Sequence, residues 1–169
     1  MKRIFITGSS DGLGARVGQL LIAAGFEVVL HARSEQRAAD AMHKVPGASA
    51  ALVADVSTLR GCYRLAELAN SHGTFDAVIH NVAVFHREDQ GLTEDGCTST
   101  FTTNSLAPYV LTAAMQRPAR LVYLSSDMHI GGRLDFDDLG WARRPWDGTQ
   151  AYSDTKLHDA MLAFAMARR

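Results

Sequence analysis

The sequence predicts an α/β protein built on a parallel β-sheet. Apolar runs of strand length alternate with longer segments in which apolar residues recur at helical spacing, which is typical of repeated βαβ units. Parallel strands joined by right-handed crossovers carry helices on both faces of the sheet. The length of 169 residues, of which 47% are hydrophobic and 21% are charged, suits one globular domain over residues 1–169.

The individual elements follow from hydrophobic periodicity and from capping residues. The predicted strands are Arg3–Thr7, Glu27–His31, Ala50–Val53, Ala77–His80 and Leu121–Ser125. The predicted helices are Ala15–Ala24, Glu35–Lys44, the segment between Ser57 and Gly73, Phe101–Met115 and Gln150–Arg169. Ser34 and Ser57 are the expected amino-terminal caps of the second and third helices, because a serine hydroxyl accepts a hydrogen bond from a free helical N–H. Residues 127–149 fit neither period and are predicted to form a loop.

Charge and composition exclude several function classes. A net charge of −1 at pH 7 leaves no excess of Lys and Arg to neutralise nucleic-acid phosphates. The first apolar run stops at Thr7, which favours a strand over a signal peptide, and no membrane segment is predicted. Two cysteines, Cys62 and Cys97, favour a reducing compartment, so a cytoplasmic protein is expected. The histidines and cysteines lack metal-ligand spacing, and no metal site is predicted.

A glycine-rich turn, TGSSDGLG from Thr7 to Gly14, joins the first strand to the first helix. Glycine allows a tight turn, lets backbone N–H groups approach a pyrophosphate and lets the helix pack close to the strand. The helix amino terminus adds partial positive charge. This pattern predicts a Rossmann-type doubly wound sheet, although the spacing matches neither G-x-G-x-x-G nor the P-loop and an ordinary βα turn is the alternative. The predicted dinucleotide contacts in this turn are Gly8, Ser10, Asp11, Gly12, Leu13 and Gly14.

Arg33 follows the second strand, where a dinucleotide fold meets the adenosine ribose. An acidic residue there would accept hydrogen bonds from the ribose hydroxyls, whereas arginine offers a planar set of donors to a 2′-phosphate. Arg16, in the first helical turn, is a second candidate cation. NADP(H) is therefore preferred as the cofactor, with NAD(H) as the alternative. Both arginines can also be explained as solvated surface residues.

Tyr152 and Lys156 stand four positions apart in a predicted helix, which places the phenol and the ammonium on one face. A phenol with an ordinary pKa of about 10 is a poor base at neutral pH, and a nearby cation lowers that pKa by stabilising the phenolate. Such a pair can exchange a proton with a substrate oxygen while hydride moves to or from a nicotinamide. Taken alone, the pair is more typical of a surface tyrosine beside a flexible lysine.

Taken together, these segments resemble the short-chain dehydrogenase/reductase family, whose motifs are T-G-x-x-x-G-x-G and, far downstream, Y-x-x-x-K. The matching residues are Thr7, Gly8, Gly12 and Gly14 for the first motif and Tyr152 and Lys156 for the second. Further positions fall in the family's order: Asp55 and Val56 for the adenine contact, Asn81 in the segment HNVA where the family has N-N-A-G, Asn104 for the helix asparagine and Ser126 for the catalytic serine. The segment from Ser125 to Leu139 is similar to the retinol-dehydrogenase-like branch.

The resemblance implies an NADP(H)-dependent oxidoreductase that interconverts an alcohol and a carbonyl group. It implies that Tyr152 is the general acid/base and that Lys156 lowers its pKa and holds the nicotinamide ribose. It further implies that Ser126 hydrogen-bonds the substrate oxygen and that Asn104 orients a relay water. Ser126 is chosen over Ser125 because the second serine of such a pair faces the substrate in the family.

The partner is expected to be a small, apolar carbonyl or alcohol compound. Apolar side chains after the serine pair, among them Trp141 and Trp146, favour such a substrate, with a packing role as the alternative. The resemblance leaves a homo-oligomer open. It also implies that the chain is truncated after the helix that carries Tyr152 and Lys156. That truncation, and Ala83 in place of the family's glycine, keep a second hypothesis open: a non-catalytic dinucleotide-binding sensor or interaction module.

Overall fold

The computed structural model describes residues 1–168 and confirms the predicted α/β architecture. Within these residues five parallel strands form one sheet in the order β3-β2-β1-β4-β5. The strands are β1 (Arg3–Ile6), β2 (Glu27–Ala32), β3 (Ala50–Val53), β4 (Ala77–His80) and β5 (Arg120–Tyr123). The helices are α1 (Gly12–Ala23), α2 (Glu35–Lys44), α3 (Leu59–Ser71), α4 (Ser99–Phe101), α5 (Ala107–Ala114) and α6 (Gly148–Met166). A π-helical turn spans Thr102–Leu106, and a 3₁₀ helix spans Asp127–Gly131.

Capping contacts explain where the observed helix boundaries depart from the predicted ones. The cap of α3 is Thr58 and not Ser57, because the Thr58 hydroxyl accepts the Gly61 N–H at 3.0 Å. The cap of α6 is Asp147, whose carboxylate accepts the N–H groups of Thr149 and Gln150, so this helix begins two residues earlier than expected. The predicted cap of α2, Ser34, is confirmed.

The helix predicted over Phe101–Met115 is not uniform. It begins as the short α4, loosens into the π turn Thr102–Leu106 and continues as α5. The loop predicted over residues 127–149 contains the 3₁₀ helix. A π turn inserts one residue into the helical ladder, and hydrophobic periodicity does not reveal it because both flanking segments keep an apolar face.

The sheet is buried on both faces, as a parallel sheet requires. Neighbouring strand residues point to opposite sides, so Ile4 and Ile6 pack against α1 and α2 while Phe5 packs on the side of α3 and α5. Phe5 stacks on Phe75 with ring centroids 5.3 Å apart. Two apolar layers therefore hold the sheet between its helices.

The strand order reverses between β1 and β4. From β1 the chain continues to β2 and β3 on one side of the sheet, and from β4 it continues to β5 on the other side. Such a switch point leaves a crevice beyond the carboxyl ends of the strands, where ligands bind in open α/β sheets. The glycine-rich turn follows β1, and Asn81 follows β4, so both lie at this crevice. Among residues 1–168, no helix is both long and apolar enough to cross a membrane.

Candidate active site

The glycine-rich turn leaves β1 and enters α1 through two glycines with left-handed backbone. Gly8 has φ +61° and Gly12 has φ +55°, a region that side chains rarely adopt. A Cβ at Gly8 would also lie 2.8 Å from the Cα of Val82. Gly14 has ordinary φ but no space, because a Cβ there would lie 2.5 Å from the Asn81 amide nitrogen and 2.6 Å from the Gly8 carbonyl oxygen. Gly8 and Gly12 are therefore required for their backbone conformation, whereas Gly14 is required because a side chain would have no space.

A buried histidine, His31 at the end of β2, holds the turn in place. Its Nε2 lies 2.9 Å from the carbonyl oxygen of Ala54, which can only accept, so the proton is assigned to Nε2. Nδ1 is then free to accept the Gly8 N–H at 2.9 Å. Burial lowers the pKa of His31, which keeps the ring neutral and able to accept. The amino-acid sequence does not reveal this role, because His31 lies within an apolar strand pattern.

Asn81 fastens the turn from the other side. Its amide nitrogen donates to the carbonyl oxygens of Thr7 and Gly8 at 3.0 and 2.9 Å. The Thr7 hydroxyl accepts the N–H groups of Asn81 and Val82. Both amide protons of Asn81 are therefore committed to the turn, so its side-chain amide shapes the predicted cofactor site through backbone position.

Asp11, a predicted cofactor contact, is the amino-terminal cap of α1. Its carboxylate accepts the Gly12 N–H at 2.9 Å and pairs with Lys44 at 3.0 Å. The Gly12 hydrogen bond, followed by the Lys44 ammonium, lowers the pKa of this carboxyl group. Asp11 therefore remains ionised at the point where the helix dipole presents positive charge.

A groove of about 510 Å³, here called the arginine groove, runs along the carboxyl ends of β2 and β3. The predicted cofactor residues Gly8, Ser10, Arg33, Asp55 and Val56 all line it. Arg37 from α2 lines it as well, with its Nε 3.5 Å from the Ser10 hydroxyl. Arg16 does not line this groove; its guanidinium is exposed and donates to Gln19. The second cation that lines the arginine groove with Arg33 is therefore Arg37 in α2, and not the predicted Arg16 in α1.

A second cavity of about 420 Å³, here called the tyrosine cleft, contains the predicted catalytic pair. Tyr152 and Lys156 line it together with the glycine-rich turn and the end of β5. Gly8, Val82 and Ala83 line both this cleft and the arginine groove, so the two cavities adjoin at these residues. The residues predicted to bind the cofactor in the cleft also include Asp11, Leu13, Gly14 and Asn81.

Tyr152 is held by its ring and Lys156 by hydrogen bonds. The Tyr152 ring stacks on Phe85 with centroids 4.6 Å apart and an interplanar angle of 25°. The Lys156 ammonium lies 5.6 Å from the centroid of the Tyr152 ring. It donates to the Leu124 carbonyl oxygen at 2.7 Å and to the Asp159 carboxylate at 2.9 Å. Phe85 and Asp159 lie outside the recognised motifs, and the sequence offered no pattern that would have identified either.

The two serines after β5 occupy different environments. Ser125 lines the tyrosine cleft, and its hydroxyl donates to the Lys156 carbonyl oxygen at 2.7 Å. The Ser126 hydroxyl donates to the Asp127 carboxylate at 3.0 Å and accepts the Met128 N–H, capping the 3₁₀ helix. The substrate contact expected of Ser126 stays a prediction.

Asn104 lies within the π turn and is buried. Its amide oxygen accepts the Val84 N–H at 2.8 Å, and its amide nitrogen donates to the Val84 carbonyl oxygen at 2.9 Å. The same nitrogen lies 3.2 Å from the Thr155 hydroxyl. Both amide protons are thus used within the protein, and the predicted water-orienting role stays a prediction.

The two tryptophans after the serine pair pack within their own loop. Trp141 is only 4% exposed, meets Trp146 edge to face and is covered by the Arg144 guanidinium 3.7 Å from its ring centroid. Its indole N–H donates to Asp154. Of the two functions considered for Trp141, packing is the one that this burial supports.

A switch-point groove behind a glycine-rich turn, adjoining a cleft that holds a Tyr-x-x-x-Lys pair, is the arrangement of a Rossmann-type fold. The family model for short chain dehydrogenase matches residues 2–128, and the chain belongs to that family.

Known relatives cover all of this chain but are longer. An uncharacterized oxidoreductase of Emericella nidulans is 46% identical over 100% of this chain and 65% of its own length. Human retinol dehydrogenase 13 is 27% identical over 99% of this chain and 54% of its own length, in line with the predicted branch. A crystal structure from Mycobacterium paratuberculosis matches with a TM-score of 0.89 and 28% identity, covering 100% of this chain and 62% of that one. The chain thus spans less than two thirds of these proteins.

Proposed function

We propose that the protein is an NADP(H)-dependent oxidoreductase that interconverts an alcohol and a carbonyl group on a small, apolar substrate. The observation that carries this proposal is that the two cavities adjoin at the glycine-rich turn. Tyr152 and Lys156 share a cleft with this turn, and that cleft shares Gly8, Val82 and Ala83 with the groove lined by Arg33 and Arg37. A dinucleotide lying along this path would have its phosphates at the turn and its two ends at the two sets of side chains.

The donors of the arginine groove suit the adenosine end of NADP(H). Arg33 and Arg37 both line the groove with Ser10, whose hydroxyl lies 3.5 Å from the Arg37 Nε, and planar N–H donors suit a phosphate. Asp55 and Val56, where the family resemblance expects the adenine, line the groove as well. These residues favour NADP(H) over NAD(H), because the residue directly after β2 is Arg33 and not a carboxylate that would accept hydrogen bonds from two ribose hydroxyls.

The tyrosine cleft supplies the groups for proton transfer. When bound, the nicotinamide would supply or accept the hydride. Tyr152 would move the proton at the substrate oxygen, held in orientation by its stacking on Phe85. Lys156 keeps a positive charge near that phenol and is fixed by the Leu124 carbonyl oxygen. Ser126 would donate a hydrogen bond to the oxygen on which charge develops.

Apolar side chains beside the catalytic pair support an apolar substrate. Leu13, Val82 and Leu124 line the cleft, and Phe85 covers one face of the Tyr152 ring. Aromatic or medium-chain aldehydes and ketones should therefore be reduced faster than polar keto acids. Free thiols at Cys62 and Cys97 favour placing this activity in the reducing cytoplasm.

The deciding experiment is the substitution Tyr152→Phe, assayed with NADPH and a panel of aldehydes and ketones. Loss of the proton donor should reduce turnover by about 10³-fold or more, since general acid–base catalysis contributes at this scale. NADPH binding, followed by nicotinamide fluorescence, should stay within about twofold, because the hydroxyl is not needed to hold the dinucleotide.

The matched control is Tyr109→Phe, which removes the hydroxyl from an exposed tyrosine on α5 and should keep full turnover. Substantial turnover in the Tyr152→Phe variant would refute the catalytic assignment. NADPH binding with no turnover on any compound, even for the unsubstituted protein, would instead support the non-catalytic dinucleotide-binding module.

A further inference from the structure

A buried carboxylate, Asp159, lies directly behind the lysine of the catalytic pair. Lys156 and Asp159 are three residues apart on α6, and their side chains are only 4% and 5% exposed. The ammonium nitrogen lies 2.9 Å from a carboxylate oxygen of Asp159. Position 159 lies outside the two family motifs, T-G-x-x-x-G-x-G and Y-x-x-x-K.

The hydrogen bonds of Lys156 show what the carboxylate does to it. An ammonium group has three donors and no acceptor. One donor goes to the Leu124 carbonyl oxygen and a second goes to Asp159. A single N–H therefore remains for the tyrosine cleft, and the position of the nitrogen is fixed from two directions before any ligand enters.

We propose that Asp159 is a positioning residue that fixes the Lys156 ammonium and offsets part of its charge at Tyr152, thereby setting the pH at which Tyr152 exchanges its proton. This inference rests on the proposed function only in giving Tyr152 a catalytic use. The electrostatic effect itself is present in the free protein.

The charge argument is one of distance and sign. The Lys156 nitrogen lies 5.6 Å from the Tyr152 ring centroid, near enough for its charge to favour a phenolate. An anion 2.9 Å from that nitrogen opposes this effect, because the two charges act on the phenol with opposite signs. The Asp159 carboxylate therefore offsets part of the lysine charge that acts on Tyr152.

The groups around Asp159 leave Lys156 as its one close cation within residues 1–168. Burial raises the pKa of Asp159 to about 6, against the attraction of Lys156, so the carboxylate is ionised at neutral pH. From β5, Tyr123 faces it, and burial raises the pKa of that phenol too. His80 on β4 stacks on Tyr123 at 4.8 Å, and burial lowers its pKa to about 3, so it carries no charge.

Elements packed against α6 carry further charges besides the Lys156–Asp159 pair. The π turn Thr102–Leu106 and α4 contain no ionisable side chain. The 3₁₀ helix carries Asp127 and His129. The loop before α6 brings Arg144 within 3.2 Å of Asp154.

Two further charges lie near Tyr152. Asp11 lines the tyrosine cleft, and the Arg87 guanidinium lies 5.1 Å from the Phe85 ring that stacks on Tyr152. Among residues 1–168, Asp159 is the carboxylate that pairs with Lys156.

The test is Asp159→Asn, which keeps the shape and an acceptor oxygen but removes the charge. The pH midpoint of Tyr152 ionisation should fall by about half to one pH unit, a threefold to tenfold change in proton affinity. Tyrosinate absorbance, taken as the difference between each protein and its Tyr152→Phe counterpart, reports that midpoint without cofactor or substrate. Asp159→Glu keeps the charge and should show the original midpoint. Asp40→Asn, which neutralises an exposed carboxylate on α2, should leave the midpoint unchanged.

A second pair of variants guards against misfolding, because Asp159→Asn leaves a buried ammonium without its counter-ion. Lys156→Met and Lys156→Met/Asp159→Asn both lack that ammonium. The double variant should show the lower midpoint, since only the single variant keeps the anion. Equal midpoints within each pair would overturn the inference. If the midpoints shift as expected but NADPH binding or turnover fails, only the proposed function is refuted.

Discussion

The glycine-rich turn and the tyrosine cleft, two regions of the proposed dinucleotide path, are built from different kinds of contact. At the glycine-rich turn, buried hydrogen bonds from His31 and Asn81 fix backbone groups. At the tyrosine cleft, one buried helix, α6, carries the side chains, and Leu124 and Asp159 hold Lys156 from behind. The turn therefore depends on main-chain conformation and the cleft on side-chain position.

This difference implies that the regions of the path respond differently to substitution. Changing a side chain in the tyrosine cleft should remove turnover and spare cofactor binding. Changing an exposed arginine in the arginine groove should alter cofactor choice and spare turnover. Changing the buried supports of the turn should affect stability as well as binding.

The largest expected effect in this comparison concerns the serine pair at the tyrosine end. Ser126→Ala should reduce turnover about 100-fold, the usual scale for losing one hydrogen-bond donor to a developing oxyanion. Ser125→Ala is the matched control and should have a much smaller effect, because the family resemblance assigns the substrate contact to the second serine of the pair. The measurement is steady-state turnover with NADPH bound at saturation.

The reverse ranking would assign the substrate contact to Ser125. That outcome would agree with its position in the cleft, and it would show that the Ser126 hydroxyl keeps its bond to Asp127 during the reaction. Either ranking separates a capping serine from a catalytic one.

The parts predicted correctly from sequence are those with a local cause. The alternation of strand-length apolar runs with helical patterns predicted the parallel sheet. The strands Ala50–Val53 and Ala77–His80 are observed at the predicted boundaries. The glycine-rich turn was predictable because the positive φ of Gly8 and Gly12 is a backbone requirement that few residues meet. Tyr152 and Lys156 were recognisable because four-residue spacing on a helix places them on one face.

The parts that sequence did not reveal depend on how segments pack and which side chains are buried. Phe85 and Tyr152 are far apart in the chain and meet only through the packing of the loop after β4 against α6. Arg37 lines the arginine groove from the first turn of α2, whereas Arg16, the candidate suggested by the sequence, does not. Asp159 lies only three residues from Lys156, but sequence spacing does not indicate that both side chains are buried.

The arginine end should show a smaller and more selective effect. Arg33→Ala and Arg37→Ala should each weaken NADPH binding about tenfold or more, since losing a charge-assisted contact to phosphate costs about 1.5–3 kcal/mol. NADH binding should change little, because it lacks the 2′-phosphate. Arg16→Ala serves as the control and should alter neither, as its guanidinium lies outside the groove.

Titration of both cofactors by nicotinamide fluorescence measures these affinities. Equal weakening of NADPH and NADH would show that the two arginines support the groove in general and do not recognise the phosphate. A loss confined to Arg37→Ala would move the recognition from the end of β2 to the first turn of α2.

The smallest expected effect is a pH dependence of folding stability that arises at the glycine-rich turn. Burial lowers the pKa of His31, so the folded protein binds fewer protons near this residue than the unfolded chain does. Stability should therefore be full above pH 6.5, the ordinary histidine pKa, and fall as the pH drops below it, by at most about 1.4 kcal/mol per pH unit for one proton. A protonated ring could no longer accept the Gly8 N–H.

His31→Gln tests this dependence, because glutamine can accept one hydrogen bond and donate another but does not titrate. Denaturant unfolding between pH 7 and pH 5 should show a shallower loss of stability in this variant than in the unsubstituted protein. His80 is buried with a lowered pKa as well, so part of the slope should persist. His43→Gln, an exposed histidine at the end of α2, should leave the slope unchanged. An unchanged slope in His31→Gln would mean that His31 accepts a proton in the folded state, and the turn would then be held mainly by Asn81.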